Sequence, residues 1–259
     1  MFFSINDLSI SFGGILALDG ISIEVKQGEI YSIIGPNGAG KTTLFNCISG
    51  IYRADKGQIM FKDQEIQRHK PDRIARLGIA RTFQNIELFS AMNTMENIML
   101  GRHIYFRTRL LSDIFMWGSR SRSGREEVHH RQKVEEIIDF LELQSARNNP
   151  VGGLPYGTQK LVELGRALAL EPTLLLLDEP VAGMNAEEKQ DMIFWIQDIR
   201  DELGVTILLI DHDMSVVMDI SDRVLVINFG RKIAEGTPDE VQQHPEVLKA
   251  YLGEIANVE

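Results

Sequence analysis

The residues Gly35, Pro36, Asn37, Gly38, Ala39, Gly40, Lys41 and Thr42 run consecutively and fit the pattern G-x-x-x-x-G-K-[ST]. The chemistry such a run can do is phosphate binding. Its glycines let the backbone curl until successive N–H groups point inward at phosphate oxygens. A helix beginning at Lys41 adds the positive end of its dipole. Lys41 is long enough to reach the β- and γ-phosphates of a nucleotide, the Thr42 hydroxyl can ligand Mg²⁺, and Thr43 can add a phosphate hydrogen bond. The pattern has meaning only after a strand and before a helix. The apolar run Glu29 to Ile34 and the segment Lys41 to Ser49 supply that context.

A second group of polar residues follows apolar runs. Leu174-Leu-Leu-Leu ends in Asp178-Glu179, and an acid leaving a buried parallel strand emerges at the sheet edge where α/β proteins bind ligands. There Asp178 is expected to hold Mg²⁺, and Glu179 to polarise an attacking water as general base. Val205 to Ile210 is another buried strand, and His212 just beyond it falls at the same edge, within reach of a γ-phosphate. Gln84 closes the strand expected over Ile79 to Gln84.

These side chains need a scaffold, and the chain can build one. It has 259 residues, enough for one large domain or two small ones. With 44% hydrophobic and 25% charged residues it has ordinary globular composition, which excludes disorder. No apolar run approaches the length of a spanning helix. The start MFFSINDLS lacks a basic stretch followed by an apolar one, so no secretory signal is expected. Cys47 is the single cysteine, so no internal disulfide is possible. The net charge of −10 (27 − 37) disfavours a nucleic-acid footprint.

Alternation predicts strands over 2–12, 21–25 and 57–62. Helices are expected over 126–143 and 158–170, where strand signal fades. Strand and helix alternate again from Thr173: a strand to Leu177, a helix over Ala186 to Leu203, the strand to Ile210, a helix over 214–220 and a strand over 222–228. This rhythm predicts an α/β core with a parallel sheet, an N-terminal antiparallel β subdomain, and an inserted α-helical subdomain. The expected division is 1–90 with 171–259 for the core, and 91–170 for the helical part.

The order of these pieces resembles an ATP-binding cassette (ABC) ATPase of the P-loop NTPase class. The match rests on the phosphate loop, Gln84 as the Q-loop, Leu154-Pro-Tyr-Gly-Thr-Gln159 as the signature, LLLLDEP at 174–180, Ala182-Gly-Met-Asn185 as the D-loop, and His212 as the switch histidine. The resemblance implies that Phe12 stacks on adenine, that Gln84 contacts the metal and takes part in catalysis, and that Leu154 and Gly157 belong to the face that covers a partner's nucleotide. The tyrosine-glycine signature, the D-loop, Leu209-Ile-Asp-His-Asp-Met214 and the ending from His244 to Gly253 are similar to the larger ATPase subunit of branched-chain amino-acid uptake systems (LivG-type). Urea and short-chain amide importers share much of that pattern.

ABC resemblance implies a head-to-tail dimer of cassettes holding two ATP molecules with Mg²⁺, the second cassette being the same or a related ATPase. It also implies two membrane permease subunits, a solute-binding protein, and a peripheral position on the cytoplasmic face of the inner membrane. Leu88, Phe89, Met92 and Met95 are expected either to line the groove for the membrane subunits or to pack the insert against the core. The segment Tyr105 to Arg125 mixes apolar residues with arginines, as a membrane-facing helix or an ordinary packed helix does. Two positions depart from the usual pattern. Pro155 stands where the signature has serine, which removes a hydroxyl donor, and Asn185 stands where the D-loop has aspartate. Both bear on the rate of hydrolysis, and a weakly hydrolysing regulatory cassette remains an alternative to a transport motor.

Overall fold

The computed structural model describes residues 1–105 and 122–255, with side chains for 1–105 and 126–251. Nearly all of the arginine-rich segment ending at Arg125 therefore lies outside the described side chains. Among the described residues no helix is long and apolar enough to cross a membrane. The chain divides into two compact units, Met1–Gln84 with Thr173–Glu259, and Asn85–Pro172.

The first unit opens with two antiparallel strands, β1 (Phe3–Phe12) and β2 (Ile15–Val25). β2 starts six residues earlier than alternation alone predicts. Gly20 interrupts the apolar spacing, yet pairing continues past it through Ile10 with Leu18 and Phe12 with Ile15, with the register shifting on the way. β3 (Ile30–Ile34) leads through the phosphate loop into α1 (Lys41–Ile48). β4 (Lys56–Phe61) and the short β5 (Gln64–Glu65) complete a four-stranded antiparallel sheet in the order β2-β1-β4-β5. α2 (Pro71–Arg76) and β6 (Ile79–Arg81) follow. The strand expected to reach Gln84 stops at Arg81. Thr82 still donates its N–H to the Leu176 carbonyl, after which the chain leaves the sheet.

The second unit carries α3 (Thr94–Gly101), α4 (Arg122–Phe140) and α5 (Tyr156–Leu168). Asn93 caps α3 in a reciprocal pair with Glu96. Asn97 is fully buried and bonds the backbone of Phe89, Met92 and Asn93, which fixes the loop ahead of α3. Arg102, also buried, donates to the Ala169 carbonyl and His130 Nδ1 and lies over the Tyr105 ring. α5 begins two residues earlier than expected because Pro155, with φ −53°, takes the N-cap position.

The chain returns to the first unit through β7 (Leu174–Asp178), α6 (Ala186–Asp201), β8 (Thr206–Ile210), α7 (Met214–Ile220) and β9 (Arg223–Asn228). β10 (Arg231–Gly236), α8 (Pro238–Gln242) and α9 (Pro245–Ile255) complete it. Its second sheet has the order β10-β9-β3-β8-β7-β6. All neighbours are parallel except the edge strand β10, which runs antiparallel to β9. Every residue of β3, β7 and β8 is buried, as their unbroken apolar runs require of strands covered on both faces. One core joins Leu44 and Phe45 of α1 to Ile33, Leu176 and Leu208 of this sheet and to Phe3, Ile5 and Ile59 of the antiparallel sheet. Each such side chain contributes about 1.5–3 kcal/mol relative to exposure. The helix behind the phosphate loop is thereby locked between two sheets.

Cys47 lies within that core, and burial pushes its thiol up to about 12, with the nearby Asp55 charge acting in the same direction. A thiol held protonated and inaccessible is not a nucleophile. The native protein is therefore expected to leave a disulfide reagent unreacted at pH 8. The same chain in denaturing urea should release one equivalent of reporter thiolate, which absorbance measures; fast native labelling would contradict the packing of α1.

Candidate functional site

Parallel strands present their carboxyl ends to one edge of the sheet. β8 lies between β3 and β7. The phosphate loop after β3, the Asp211-His212 turn after β8, the acids ending β7 and the residues after β6 therefore emerge along the same edge.

The loop itself is shaped by backbone conformation. Gly35 has φ +150°, and a Cβ there would overlap the Ile227 carbonyl. Gly40, at the N-cap of α1, has no side chain to cap the helix, and the first turn holds no acid. The opening amides of α1 thus lack a side-chain acceptor and suit an external anion. Ala39 is buried, Pro36, Gly40 and Thr43 are partly buried, and Asn37, Gly38 and Thr42 are exposed. Lys41 is buried and its Nζ donates to the Gly35 and Pro36 carbonyls, at 2.5 and 3.0 Å. The ammonium is stored against the inside of its own loop.

Asp178 ends β7 with its side chain 3% exposed and accepts from Arg81 Nη2 at 2.7 Å. Glu179 follows with φ +51°, a costly conformation for a residue with a side chain. Its N–H donates to the Ile210 carbonyl at 2.8 Å, which ties the bend to β8. Gln84 Nε2 donates to Glu179 Oε2 at 2.9 Å, and His212 Nδ1 lies 3.6 Å from the same oxygen. Gln84, Glu179 and His212 are thus brought together. His212 is presented by Asp211, whose Oδ1 accepts from the backbone N–H of His212 and of Asp213. Burial raises the Asp211 carboxyl above its usual range, opposed by those backbone hydrogen bonds and the imidazole.

Phe12 stands half-exposed at the end of β1, with its ring 5.1 Å from that of Tyr52 in an edge-on arrangement. Ser11 bonds the Asp55 carboxylate through both N–H and hydroxyl, which braces this tip. Sequence patterns missed Tyr52 and Arg81, whose contacts no local spacing announces, and Asp211, whose contacts are local backbone hydrogen bonds.

Leu154 and Gly157 belong to the second unit, around the start of α5. Gly157 is buried, Leu154 is partly buried, and Tyr156 between them is exposed. Pro155 supplies no side-chain cap. Of the groove candidates, Phe89 is exposed, Leu88 and Met92 are partly buried, and Met95 is buried. The Met95 sulfur accepts from Arg131 and Arg147, so this side chain packs its own unit. Asn185, back in the first unit, caps α6, accepting from Glu187 and Glu188 N–H while Glu188 bonds back to it. An aspartate would fill that role equally.

The donor set fits a nucleotide with Mg²⁺. Among the described residues no group of three or more His, Cys, Asp or Glu is placed to hold a metal alone. Mg²⁺ usually needs only one or two protein ligands when phosphates supply others. Thr42, Asp178 and Gln84 are oxygen donors of that kind.

A curled phosphate loop, two strand-end acids and a histidine on one edge of a largely parallel sheet define a nucleoside triphosphatase, and the inserted helical unit narrows the class to cassettes. The profile of the ABC transporter family matches residues 18–182, and that of the branched-chain amino acid ATP-binding cassette transporter family matches residues 231–256. The chain is 42% identical over 250 residues to the high-affinity branched-chain amino acid transport ATP-binding protein BraF of Pseudomonas aeruginosa, covering 96% of this chain and 97% of that protein. It is 41% identical over 251 residues to the LivG protein of Escherichia coli K12, covering 97% of each. A crystal structure of a nucleotide-free ATP-binding cassette from an ABC transporter superposes with a TM-score of 0.84 at 32% identity, covering 96% of this chain and 98% of that one. The chain therefore belongs to the ABC transporter family, as an ATP-hydrolysing cassette subunit.

The loop geometry separates two glycine substitutions. Gly38 has φ +76° but open space around its Cβ position, so G38A should cost about 1–2 kcal/mol of backbone strain. G35A adds a collision with backbone and should cost clearly more while abolishing binding of a fluorescent ATP analogue. Urea unfolding and analogue titration check both; equal costs would contradict the loop geometry.

Proposed function

We propose that this chain powers an importer for branched-chain amino acids or related small solutes, working at the cytoplasmic face of the inner membrane beside two permease subunits and a solute-binding protein. The observation that carries the catalytic part is the meeting of Gln84, Glu179 and His212 on the sheet edge that carries the phosphate loop. The likeness to the BraF and LivG proteins along nearly their whole length supports the choice of solute.

In this reading the loop 35–40 and Lys41 to Thr43 bind the triphosphate of ATP, and Phe12 stacks on adenine. Thr42, Asp178 and Gln84 hold Mg²⁺, which supplies charge stabilisation to the phosphoryl oxygens. Lys41 leaves the loop carbonyls for phosphate oxygens. Gln84 and the backbone bend at Glu179 orient its carboxylate, which accepts a proton from the attacking water. His212, free to turn on an exposed ring, contacts the terminal phosphate.

A second cassette completes the site with its own Leu154–Gly157 segment. A dimeric cassette bound to ADP and Pi shares the fold with a TM-score of 0.75 at 23% identity. Pro155 removes one hydroxyl from that segment but leaves the amides at the start of α5 and their dipole. The expected outcome is slower hydrolysis, not loss of binding.

Glu179→Gln should keep ATP affinity and lower turnover by about 10²–10⁴-fold, and Lys41→Ala should lose nucleotide binding. Coupled phosphate-release assays and analogue titration test these. Unchanged turnover in Glu179→Gln would remove the general base from this residue. Restoration of radiolabelled leucine uptake in a bacterium deleted for its own such ATPase tests the solute, and failure there with normal ATP turnover points to another cargo.

A further inference from the structure

Arg81 sits at the end of the edge strand β6, and its guanidinium links three elements. Nη2 donates to Asp178 Oδ2 at 2.7 Å. Nη1 donates to Asn46 Oδ1 at 2.7 Å and Ser49 Oγ at 3.0 Å, at the C-terminal end of α1. The Phe45 and Phe83 rings lie 5.6 and 5.3 Å from its central carbon. The ion-paired side chains of Arg81 and Asp178 are 7% and 3% exposed, and Arg81 Nε is buried without a hydrogen-bond partner.

A buried ion pair is weak evidence for stability, since apolar residues of similar volume often do as well. Here the pair has a geometric consequence instead. One fork of the guanidinium faces the strand that ends in the metal carboxylate. The other faces the helix whose first residues, Lys41 and Thr42, leave the phosphate loop. The residues just after β6 make similar contacts: Thr82 Oγ1 accepts from Asp178 N–H, and Gln84 bonds Glu179.

We propose that Arg81 is a positioning residue for Asp178. It holds the carboxylate aimed from one oxygen, leaving the other for the Mg²⁺ shell, and joins its placement to that of α1. The inference rests on the reading of Asp178 given above. A lysine cannot replace it, because an ammonium lacks the planar fork that bonds two elements at once. Removing the guanidinium leaves the buried carboxylate free to turn away, which weakens the metal site. Partners of this kind are typically worth roughly 10–100-fold in metal affinity.

The test titrates Mg²⁺ into the full chain with a fluorescent ATP analogue and reads the Mg²⁺ concentration at half-maximal gain in affinity. Arg81→Met and Arg81→Lys should raise that midpoint roughly 10–100-fold while affinity in EDTA stays at the wild-type value. Asn46→Ala, which keeps the ion pair and loosens its anchor, should move the midpoint in the same direction and serves if the Arg81 variants do not fold. A wild-type midpoint in folded Arg81→Lys or in Asn46→Ala overturns the proposal. So does an equal loss with and without Mg²⁺, which marks general damage to the fold. An absence of any Mg²⁺ effect in the wild-type chain sinks the reading of Asp178 as the metal carboxylate, and the inference with it.

Discussion

Helix α1 follows directly from the phosphate loop and starts on a glycine, which supplies no side-chain cap. Asn93, Asn185, Asp213 and Thr237 cap helices elsewhere in this chain, whereas α1, α2 and α5 have no side-chain cap, and of these three only α1 opens from the phosphate loop. A side chain at residue 40 would meet the Ala17 carbonyl and Leu18, so the position takes glycine and the helix end stays uncapped. The core that clamps Leu44 and Phe45 between two sheets holds this end in place.

A positive helix end attracts any anion, and phosphate transfer asks for more. The neighbouring strands add negative groups with different surroundings. Asp178 is buried and engaged by a guanidinium, whereas Glu179 is partly exposed, bent into a left-handed backbone and met by an amide. Adjacent carboxylates in one chain would repel if both were free. Here the first is compensated by Arg81 and the second faces the open edge. Environment thus suits one to hold a cation and the other to take a proton.

The phosphate loop was legible because its chemistry is local. Eight consecutive residues between an apolar run and a helix carry the whole message. The acids and His212 were legible because buried parallel strands are unbroken apolar runs, and whatever ends them falls on one edge. Arg81 was illegible for the opposite reason. Its partner is 97 positions away, and one arginine in a short strand has no periodicity. β2 was read too short because Gly20 broke the alternation that strand pairing tolerates through a register shift. β10 escaped notice because its residues are mostly half-exposed or exposed, so it never forms an apolar run.

Lys41 ties the phosphate loop to itself. A buried ammonium without acceptors would be costly, and the Gly35 and Pro36 carbonyls remove that cost by turning inward. In the proposed reading, a triphosphate gives the ammonium an ionised acceptor in place of two carbonyls. Binding then asks for a change of partner by one side chain and not the ordering of a segment, which keeps the cost of conformational entropy small.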